Sequence, residues 1–206
     1  MQPCPTLYHV HDPMCSWCWG YRKTWDEIRA ALPDSVAVVN VVGGLAPDSE
    51  EPMTAEQQTL IASYWQQVAD KTGASFNFDF WKNCQPRRST YPACRAVLAA
   101  KKQSAEQAMI DAIQQAYYLR SLNPSDQDTL VLLAAELKLD ANLFRTDLAS
   151  QRIQSELEQN FELRRSIGVY SFPSLVLRVN GTATALTTNY NSSQSTLEEI
   201  ARLLSL

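Results

Sequence analysis

Cys15 and Cys18 stand three residues apart in the segment DPMCSWCWG, and their type and spacing could carry chemistry. On a helix, residues three apart have Cβ atoms about 5–6 Å apart, only slightly beyond the span of a disulfide. The pair could therefore form and break a bond with a small backbone adjustment. Cys15 would lie at the helix N-terminus, where unpaired backbone N–H groups stabilise a thiolate, the form that attacks disulfides.

The spacing of the two cysteines is also found in zinc sites, and isolated cysteines are common in protein cores. A four-cysteine zinc site needs a second close pair, whereas nine residues separate Cys84 from Cys94. The total of five cysteines is odd and does not match a secreted disulfide framework. We therefore favour a redox pair and predict neither a metal nor a cofactor.

The segments around the cysteine pair predict a strand, a helix and a second strand. Residues 6–10 form a short β-rich run, and residues 15–32 carry apolar side chains at helical spacing up to Pro33. Residues 36–42 form a nearly unbroken β-branched run, which favours a parallel strand buried on both faces. This βαβ order places Cys15 where the first strand passes into the helix.

The middle of the chain predicts a helical block over about residues 54–167, interrupted by an irregular stretch at about 73–92. Capping-box patterns begin at Thr54 and Ser104, each before an apolar helical repeat. The block shows no internal repeat and no low-complexity tract, so it is neither a solenoid nor a linker.

The end of the chain predicts two strands and a helix. Residues 174–179 and 182–186 have β-rich character, and Asn180–Gly181 between them is a strong hairpin signal. A third capping-box pattern starts the last helix at Ser195. The predicted order is β-α-β, a helical block, then β-β-α, which defines an α/β protein.

This order resembles the DsbA-like branch of the thioredoxin superfamily over essentially the whole chain. The motifs DPMCSWCWG, GGL, YPACRA and FPSL resemble a group of cytoplasmic thiol-disulfide oxidoreductases and isomerases in that branch. The resemblance implies a thioredoxin fold with an inserted all-helical domain. Its boundaries place the thioredoxin-like domain at residues 1–44 and 149–206 and the insertion at residues 45–148.

The resemblance also implies roles for three residues of the site. Cys15 matches the attacking cysteine, Cys18 the resolving cysteine, and Pro173 a cis-proline that faces them. Two features depart from the periplasmic members: Ser-Trp replaces Pro-His between the cysteines, which argues against a strongly oxidising potential, and the bulky Phe172 precedes the proline.

Aromatic side chains near the motifs are candidates for an apolar rim that contacts substrate, together with a histidine close to the cysteines. The predicted substrate-binding residues are Trp17, Tyr170, Phe172 and His11. Arg87 and Arg88 form a short basic pair that an anionic substrate such as glutathione would need.

Composition narrows the partners. The chain has 206 residues and a net charge of −4, with no long Lys/Arg run, so neither nucleic acid nor an anionic membrane surface is a predicted partner. Its first residues lack a basic segment followed by a long apolar run, so we expect no signal peptide and a cytoplasmic location. The sequence leaves the oligomeric state open.

The leading hypothesis for function is a thiol-disulfide oxidoreductase or protein disulfide isomerase that acts through a mixed disulfide, with thiol- or disulfide-containing proteins and glutathione as candidate substrates. One alternative is a glutathione-dependent enzyme that resembles kappa-class transferases or hydroxychromene carboxylate isomerases, which usually have serine at the nucleophile position. The other is a chaperone-like protein that binds polypeptide and in which the cysteines are incidental.

Overall fold

A four-stranded mixed sheet is built from the two ends of the chain in the computed structural model, which describes residues 4–205. The strands are Thr6–His11 (β1), Ala37–Val42 (β2), Ser174–Val179 (β3) and Thr182–Leu186 (β4). Their order in the sheet is β2-β1-β3-β4, with β1 parallel to β2 and the other pairs antiparallel. The predicted strands are thus confirmed, together with the βαβ unit.

Nine helices accompany this sheet within residues 4–205. They are Ser16–Ala31 (α1), Ala55–Thr72 (α2), Phe80–Asn83 (α3), Tyr91–Lys101 (α4), Glu106–Tyr118 (α5), Gln127–Glu136 (α6), Ala141–Leu148 (α7), Gln151–Ser166 (α8) and Gln194–Leu204 (α9). The order β-α-β, helical block, β-β-α is as predicted. None of these helices is long and apolar enough to cross a membrane.

Helix α1 is fixed against the sheet by an apolar stripe. Tyr21, Trp25 and Ile28 are buried and follow the spacing of three to four residues that puts side chains on one helix face. At the N-terminal end, the Cys15 amide donates to the Asp12 carbonyl at 3.0 Å, which closes the turn after β1. Packing of the helix therefore determines where the cysteine pair lies.

Strand β3 returns beside β1 and brings the proline motif to the same end of the sheet. Ser174 pairs with Val10 in the antiparallel register, so the segment before β3 emerges next to the loop after β1. The β3–β4 hairpin turns through Asn180 and Gly181, whose φ angles of 51° and 84° suit a two-residue hairpin loop. The pairing of β3 with β1 connects residues that lie far apart in sequence.

Strand β2 differs from its prediction in burial. It pairs in parallel with β1, but Ala37 and Val38 are exposed and only its last residues, Val41 and Val42, are buried. The prediction of burial on both faces is wrong for the first half, because β2 is an edge strand and that half lacks cover.

The three capping-box predictions have different outcomes. At Thr54 both reciprocal hydrogen bonds with Gln57 are present, so that box is confirmed. The prediction at Ser104 is wrong, because Ser104 has a positive φ of 59° and Ala105 occupies the N-cap position of α5. The prediction at Ser195 is wrong by two residues, because Ser193 is the N-cap of α9.

The helices between β2 and β3 pack around a cluster of aromatic side chains. Trp65 of α2 is only 1% exposed and contacts a group of six aromatic rings. These rings are Phe76, Phe78, Phe80, Trp81, Tyr117 and Tyr118. The division into a thioredoxin-like domain at residues 1–44 and 149–206 and an inserted helical domain at residues 45–148 stays a prediction. Residues 1–3 and 206 lie outside the part of the chain that the structure describes.

Candidate active site

The two cysteine sulfurs have different surroundings. Both residues are largely buried, with 6% of Cys15 and 5% of Cys18 exposed. Cys15 is the N-cap residue of α1 and lines a cleft, whereas Cys18, one helical turn further on, does not line it. Both are free thiols in the structure. Burial raises the pKa of the Cys18 thiol well above its usual value, and a hydrogen bond with Cys15 acts in the same direction. Cys15 is therefore the cysteine that faces the cleft, and Cys18 is held as the neutral thiol.

The proline motif lies against the sulfur of Cys15. The Phe172–Pro173 peptide bond is cis, as the family resemblance implies, and Pro173 is buried. The carbonyl oxygen of Phe172 is 3.8 Å from Cys15 Sγ, within reach of a weak S–H donor.

The cleft in front of Cys15 has a volume of about 350 Å³. Its walls come from the loop that starts α1, from helix α2, from the segment before β3 and from the segment that leads to α4. Representative lining residues from these four regions are Met14, Ile61, Trp65, Tyr170, Phe172 and Arg88. The cleft is thus formed by side chains from distant parts of the sequence.

Three of the four residues predicted to bind substrate line this cleft. They are Trp17, Tyr170 and Phe172, and Tyr170 is 75% exposed. His11 does not line the cleft, and its side chain has 0% exposure. Because a fully buried ring cannot contact a bound molecule, the prediction for His11 is wrong.

Trp17 is held in place by two neighbours outside the cysteine motif. Its ring packs edge-on to Tyr190 with a centroid separation of 5.5 Å. The Lys71 ammonium lies 5.5 Å from the Trp17 ring centroid and 5.2 Å from that of Tyr190, in cation–π geometry. These contacts order the residue between the two cysteines.

Sequence analysis gave no role to Asp12, which the structure places at the centre of a hydrogen-bond network. Its carboxylate is completely buried and accepts from the backbone amides of Met14 at 2.8 Å and Leu45 at 2.7 Å. It also accepts from the Thr90 hydroxyl at 2.7 Å and the Cys94 thiol at 3.6 Å. Asp12 therefore ties the loop before Cys15 to the start of α4.

The environment of Asp12 alters two ionisable groups. Burial raises the pKa of the Asp12 carboxyl, although the four donors oppose this effect. Burial and the nearby Asp12 charge raise the pKa of the Cys94 thiol well above its usual value. The only signal in the sequence is an Asp-Pro pair just before the cysteines, because Thr90 and Cys94 lie about eighty residues away.

The other cysteines do not line the cleft. Cys4 is exposed and donates to the Ser35 carbonyl at 2.8 Å, and half-buried Cys84 donates to the Ser121 carbonyl at 3.0 Å. The Cys94 thiol donates to the Asp12 carboxylate, so Cys4, Cys84 and Cys94 each have a hydrogen-bond acceptor.

A two-cysteine helix start facing a cis-proline on a four-stranded mixed sheet defines the class of thioredoxin-fold proteins, and the inserted helices match its DsbA-like members. Comparison with known families agrees, because the model described as thioredoxin matches residues 8–196. The chain belongs to this family.

Solved structures and a curated relative resemble the chain over most of its length. A proposed protein disulfide isomerase from Nitrosomonas europaea superposes with a TM-score of 0.85 at 26% identity, covering 98% of both chains. The cytosolic disulfide reductase DsbM from Pseudomonas aeruginosa, solved with GSH, gives a TM-score of 0.80 at 22% identity and covers 98% of this chain and 100% of its own. The ClpXP adapter protein SpxH of Bacillus subtilis is 24% identical over 82% of this chain, which spans 56% of that relative's length.

Proposed function

We propose that this chain is a thiol-disulfide oxidoreductase, or a protein disulfide isomerase, that acts through the Cys15 and Cys18 dithiol. The observation that supports the proposal most directly is the difference between the two cysteines: Cys15 lines the cleft, whereas Cys18 does not and has a raised thiol pKa. This arrangement suits one attacking and one resolving cysteine. Pro173 is the proposed cis-proline that faces the cysteines, and Trp17, Tyr170 and Phe172 are the proposed substrate contacts.

The proposed reaction has two exchange steps. Cys15 as thiolate attacks one sulfur of a substrate disulfide, which forms a mixed disulfide and releases the other substrate sulfur as a thiolate that takes up a proton. Cys18 then loses its proton and attacks Cys15 Sγ, so the second substrate thiol leaves and a Cys15–Cys18 disulfide remains. The protein is oxidised by two electrons and the substrate is reduced by two. Two external thiols then reduce the Cys15–Cys18 disulfide to the dithiol and leave as their own disulfide, and the reverse sequence oxidises a substrate.

Proteins that contain thiols or disulfides are the proposed substrates, and glutathione is the proposed small one. The DsbM neighbour was solved with GSH and is described as cytosolic, which supports glutathione as a ligand and the cytoplasm as the location. The Ser-Trp dipeptide between the cysteines carries no charge to stabilise the Cys15 thiolate. We therefore propose a reducing rather than a strongly oxidising role.

A trapping experiment tests the mechanism. The Cys18→Ala variant should accumulate a mixed disulfide on Cys15 after incubation with glutathione disulfide or a disulfide-containing protein, because the resolving thiol is missing. Intact-mass spectrometry with peptide mapping measures the adduct. Cys15→Ser should form no adduct at this position, and Cys84→Ala should behave like the unmodified chain.

Other outcomes would favour the alternatives. Failure of Cys18→Ala to form an adduct with any disulfide contradicts the proposed mechanism. Glutathione conjugation or isomerisation without a dithiol couple would favour the transferase-like function. Suppression of aggregation that survives Cys15→Ser would favour the chaperone-like function. The reduction potential of the Cys15/Cys18 pair, from equilibration with glutathione buffers, separates a reductant from an oxidant.

A further inference from the structure

The cleft in front of Cys15 has a charge opposite to that of the whole chain. The chain carries 22 acidic and 18 basic residues and a net charge of −4. The residues that line the cleft include Arg87 and Arg88 but no aspartate or glutamate. A site lined by basic side chains and by no acidic one favours a negatively charged ligand.

The two arginines differ in what they already bind. Arg87 donates to the Asp126 carboxylate at 2.6 Å and to the Ser125 carbonyl at 2.8 Å, and its Nε lies 3.9 Å from Glu50. These contacts balance its charge and occupy both N–H groups of Nη2. Arg87 therefore stabilises the wall of the cleft.

The N–H groups of the Arg88 guanidinium are not used by other residues of the described part of the chain. Its side chain is exposed and forms neither an ion pair nor a hydrogen bond with any residue between 4 and 205. A guanidinium presents paired N–H groups whose planar geometry matches a carboxylate. Arg88 is thus the cation of the cleft that can bind a ligand without first breaking a contact.

The size of the cleft indicates a small ligand. Its volume of about 350 Å³ lies at the lower end of the range of about 300–1,000 Å³ for small-molecule sites. Cys15 lies on the same surface as Arg88, and the apolar side chains of Met14 and Ile61 form other parts of it. A ligand that fits this surface combines a carboxylate, a short apolar stretch and a sulfur.

We propose that Arg88 determines specificity by binding a carboxylate of a small anionic thiol or disulfide of the glutathione type while its sulfur meets Cys15. This inference rests on the proposed thiol-disulfide exchange and adds the residue that selects its small substrate. Charged residues of a protein substrate could offer the same carboxylate, so the test uses small molecules of defined charge.

The test compares two disulfides and two arginine variants. Reduced protein reacts with glutathione disulfide, which is anionic, and with hydroxyethyl disulfide, which is neutral, and the second-order rate constants are measured by stopped-flow. Arg88→Gln should lower the preference for glutathione disulfide about 5–10-fold, because a partly exposed charge-assisted contact is lost. Arg88→Lys should restore part of it, since the charge remains but the paired geometry does not.

Arg165→Gln is the matched control, because Arg165 is an exposed cation of α8 that does not line the cleft. It should leave the preference unchanged. At about 1 M salt the advantage of the unmodified chain should shrink, because charges are then screened beyond about 3 Å. An equal loss with both disulfides, no loss with glutathione disulfide, or the same loss in Arg165→Gln would overturn the role of Arg88.

Binding of S-methylglutathione separates this inference from the proposed reaction, because that ligand has no free thiol to exchange. Isothermal calorimetry should show binding to the unmodified chain and about 5–10-fold weaker binding to Arg88→Gln. If the protein reduces disulfides but the unmodified chain and Arg88→Gln bind S-methylglutathione equally well, the role of Arg88 is overturned and the proposed function stands. Binding that depends on Arg88 without any disulfide reduction would overturn the proposed function and support the anion site.

Discussion

The two histidines of the chain lie side by side in the sheet and are neutral at neutral pH. Their rings stack with a centroid separation of 4.7 Å on β1, and both are buried. Burial lowers the pKa of His9 to about 4, although a hydrogen bond to Asn40 opposes it. Burial and the neighbouring His9 lower the pKa of His11 well below its usual value. Charging either ring therefore opposes folding.

We predict that acidification destabilises the protein through these histidines. Their folded pKa values lie below the unfolded value of about 6.5, so the unfolded chain binds more protons as the pH falls through that value, and stability is lost. Between pH ~7.5 and ~5.5 each histidine should remove about 1.3 kcal/mol from the free energy of unfolding. His11→Phe should abolish the part of this pH-dependent loss of unfolding free energy that comes from His11, as measured by urea denaturation at both pH values.

The comparison within each variant controls for altered packing, since only the change in unfolding free energy between the two pH values counts. Neither ring nitrogen of His11 has a hydrogen-bond partner among residues 4–205, so phenylalanine leaves no polar group unpaired. A pH dependence in His11→Phe equal to that of the unmodified chain would contradict a neutral, buried His11.

At the scale of secondary-structure elements, the end of β2 and the segment before β3 fit together through a glycine. A Cβ atom at Gly43 would lie 2.2 Å from the nearest ring atoms of Phe172, far inside van der Waals contact. The carbonyl of Phe172 lies against Cys15 Sγ. The glycine thus allows an aromatic residue to pack at this point, next to the segment that contacts Cys15.

We predict that Gly43→Ala displaces Phe172 and slows disulfide exchange about tenfold or more, because small misplacements in an active site have large effects on rate. The rate of the reduced protein with hydroxyethyl disulfide measures this effect. In Gly43→Ala/Phe172→Leu the smaller side chain relieves the collision, so the double variant should react faster than Gly43→Ala alone.

Phe172→Leu alone is the control and should have a weaker effect than Gly43→Ala, since it leaves the backbone carbonyl in place. An unchanged rate in Gly43→Ala, or a double variant no faster than the single one, would contradict this steric coupling.

Elements with a strong local pattern could be predicted from the sequence. Features that depend on contacts with residues far away in the sequence could not. The hairpin at Asn180–Gly181 and the capping box at Thr54 follow from interactions within a few residues, and both are present. Ser104 has the same pattern as Thr54, but it adopts a positive φ between α4 and α5 and does not cap. The exposed start of β2 depends on which strands lie beside it, and hydrophobicity does not encode that.

The residues of the candidate site could likewise be predicted only where a local sequence pattern marks them. The spacing of Cys15 and Cys18 together with the strand and helix around them marks the pair as a candidate, and Phe172 and Tyr170 are candidates as aromatic residues just before β3. His11 is only four residues before Cys15 in the sequence, but it ends strand β1, where its side chain is buried in the core. Asp12 binds Leu45, Thr90 and Cys94, so its role depends on contacts over long sequence separations.

At the scale of the whole molecule, the helical block and the sheet share contacts across the proposed domain boundary. The largest buried apolar cluster contains Met14 and Val42 from the N-terminal segment together with residues of the helices from α2 to α8. The Asp12 carboxylate adds polar contacts to Leu45, Thr90 and Cys94. We infer that the two parts unfold together.

We predict one cooperative unfolding transition, with the same opening free energy for the amides of Leu175 in β3 and Val97 in α4 by native-state hydrogen exchange. Asp12→Asn should lower both values equally by about 2–4 kcal/mol, because the amide group cannot accept from all four donors. Asp34→Asn changes an exposed carboxylate and should stay within about 0.5 kcal/mol.

Two separate transitions, or an Asp12→Asn effect confined to one of the two amides, would contradict this coupling and would favour an insertion that folds by itself.

The lining of the cleft comes from separate stretches of the chain: the segments that hold Cys15 and Phe172, helix α2 with Ile61 and Trp65, and the segment of Arg88. The cysteine pair and much of the surface in front of it are therefore encoded by different stretches of the gene. Substitutions in α2 can change which molecules enter while the cysteine segment remains constant. Descendants of one ancestral protein can diverge through such substitutions in what they bind and keep the same two cysteines.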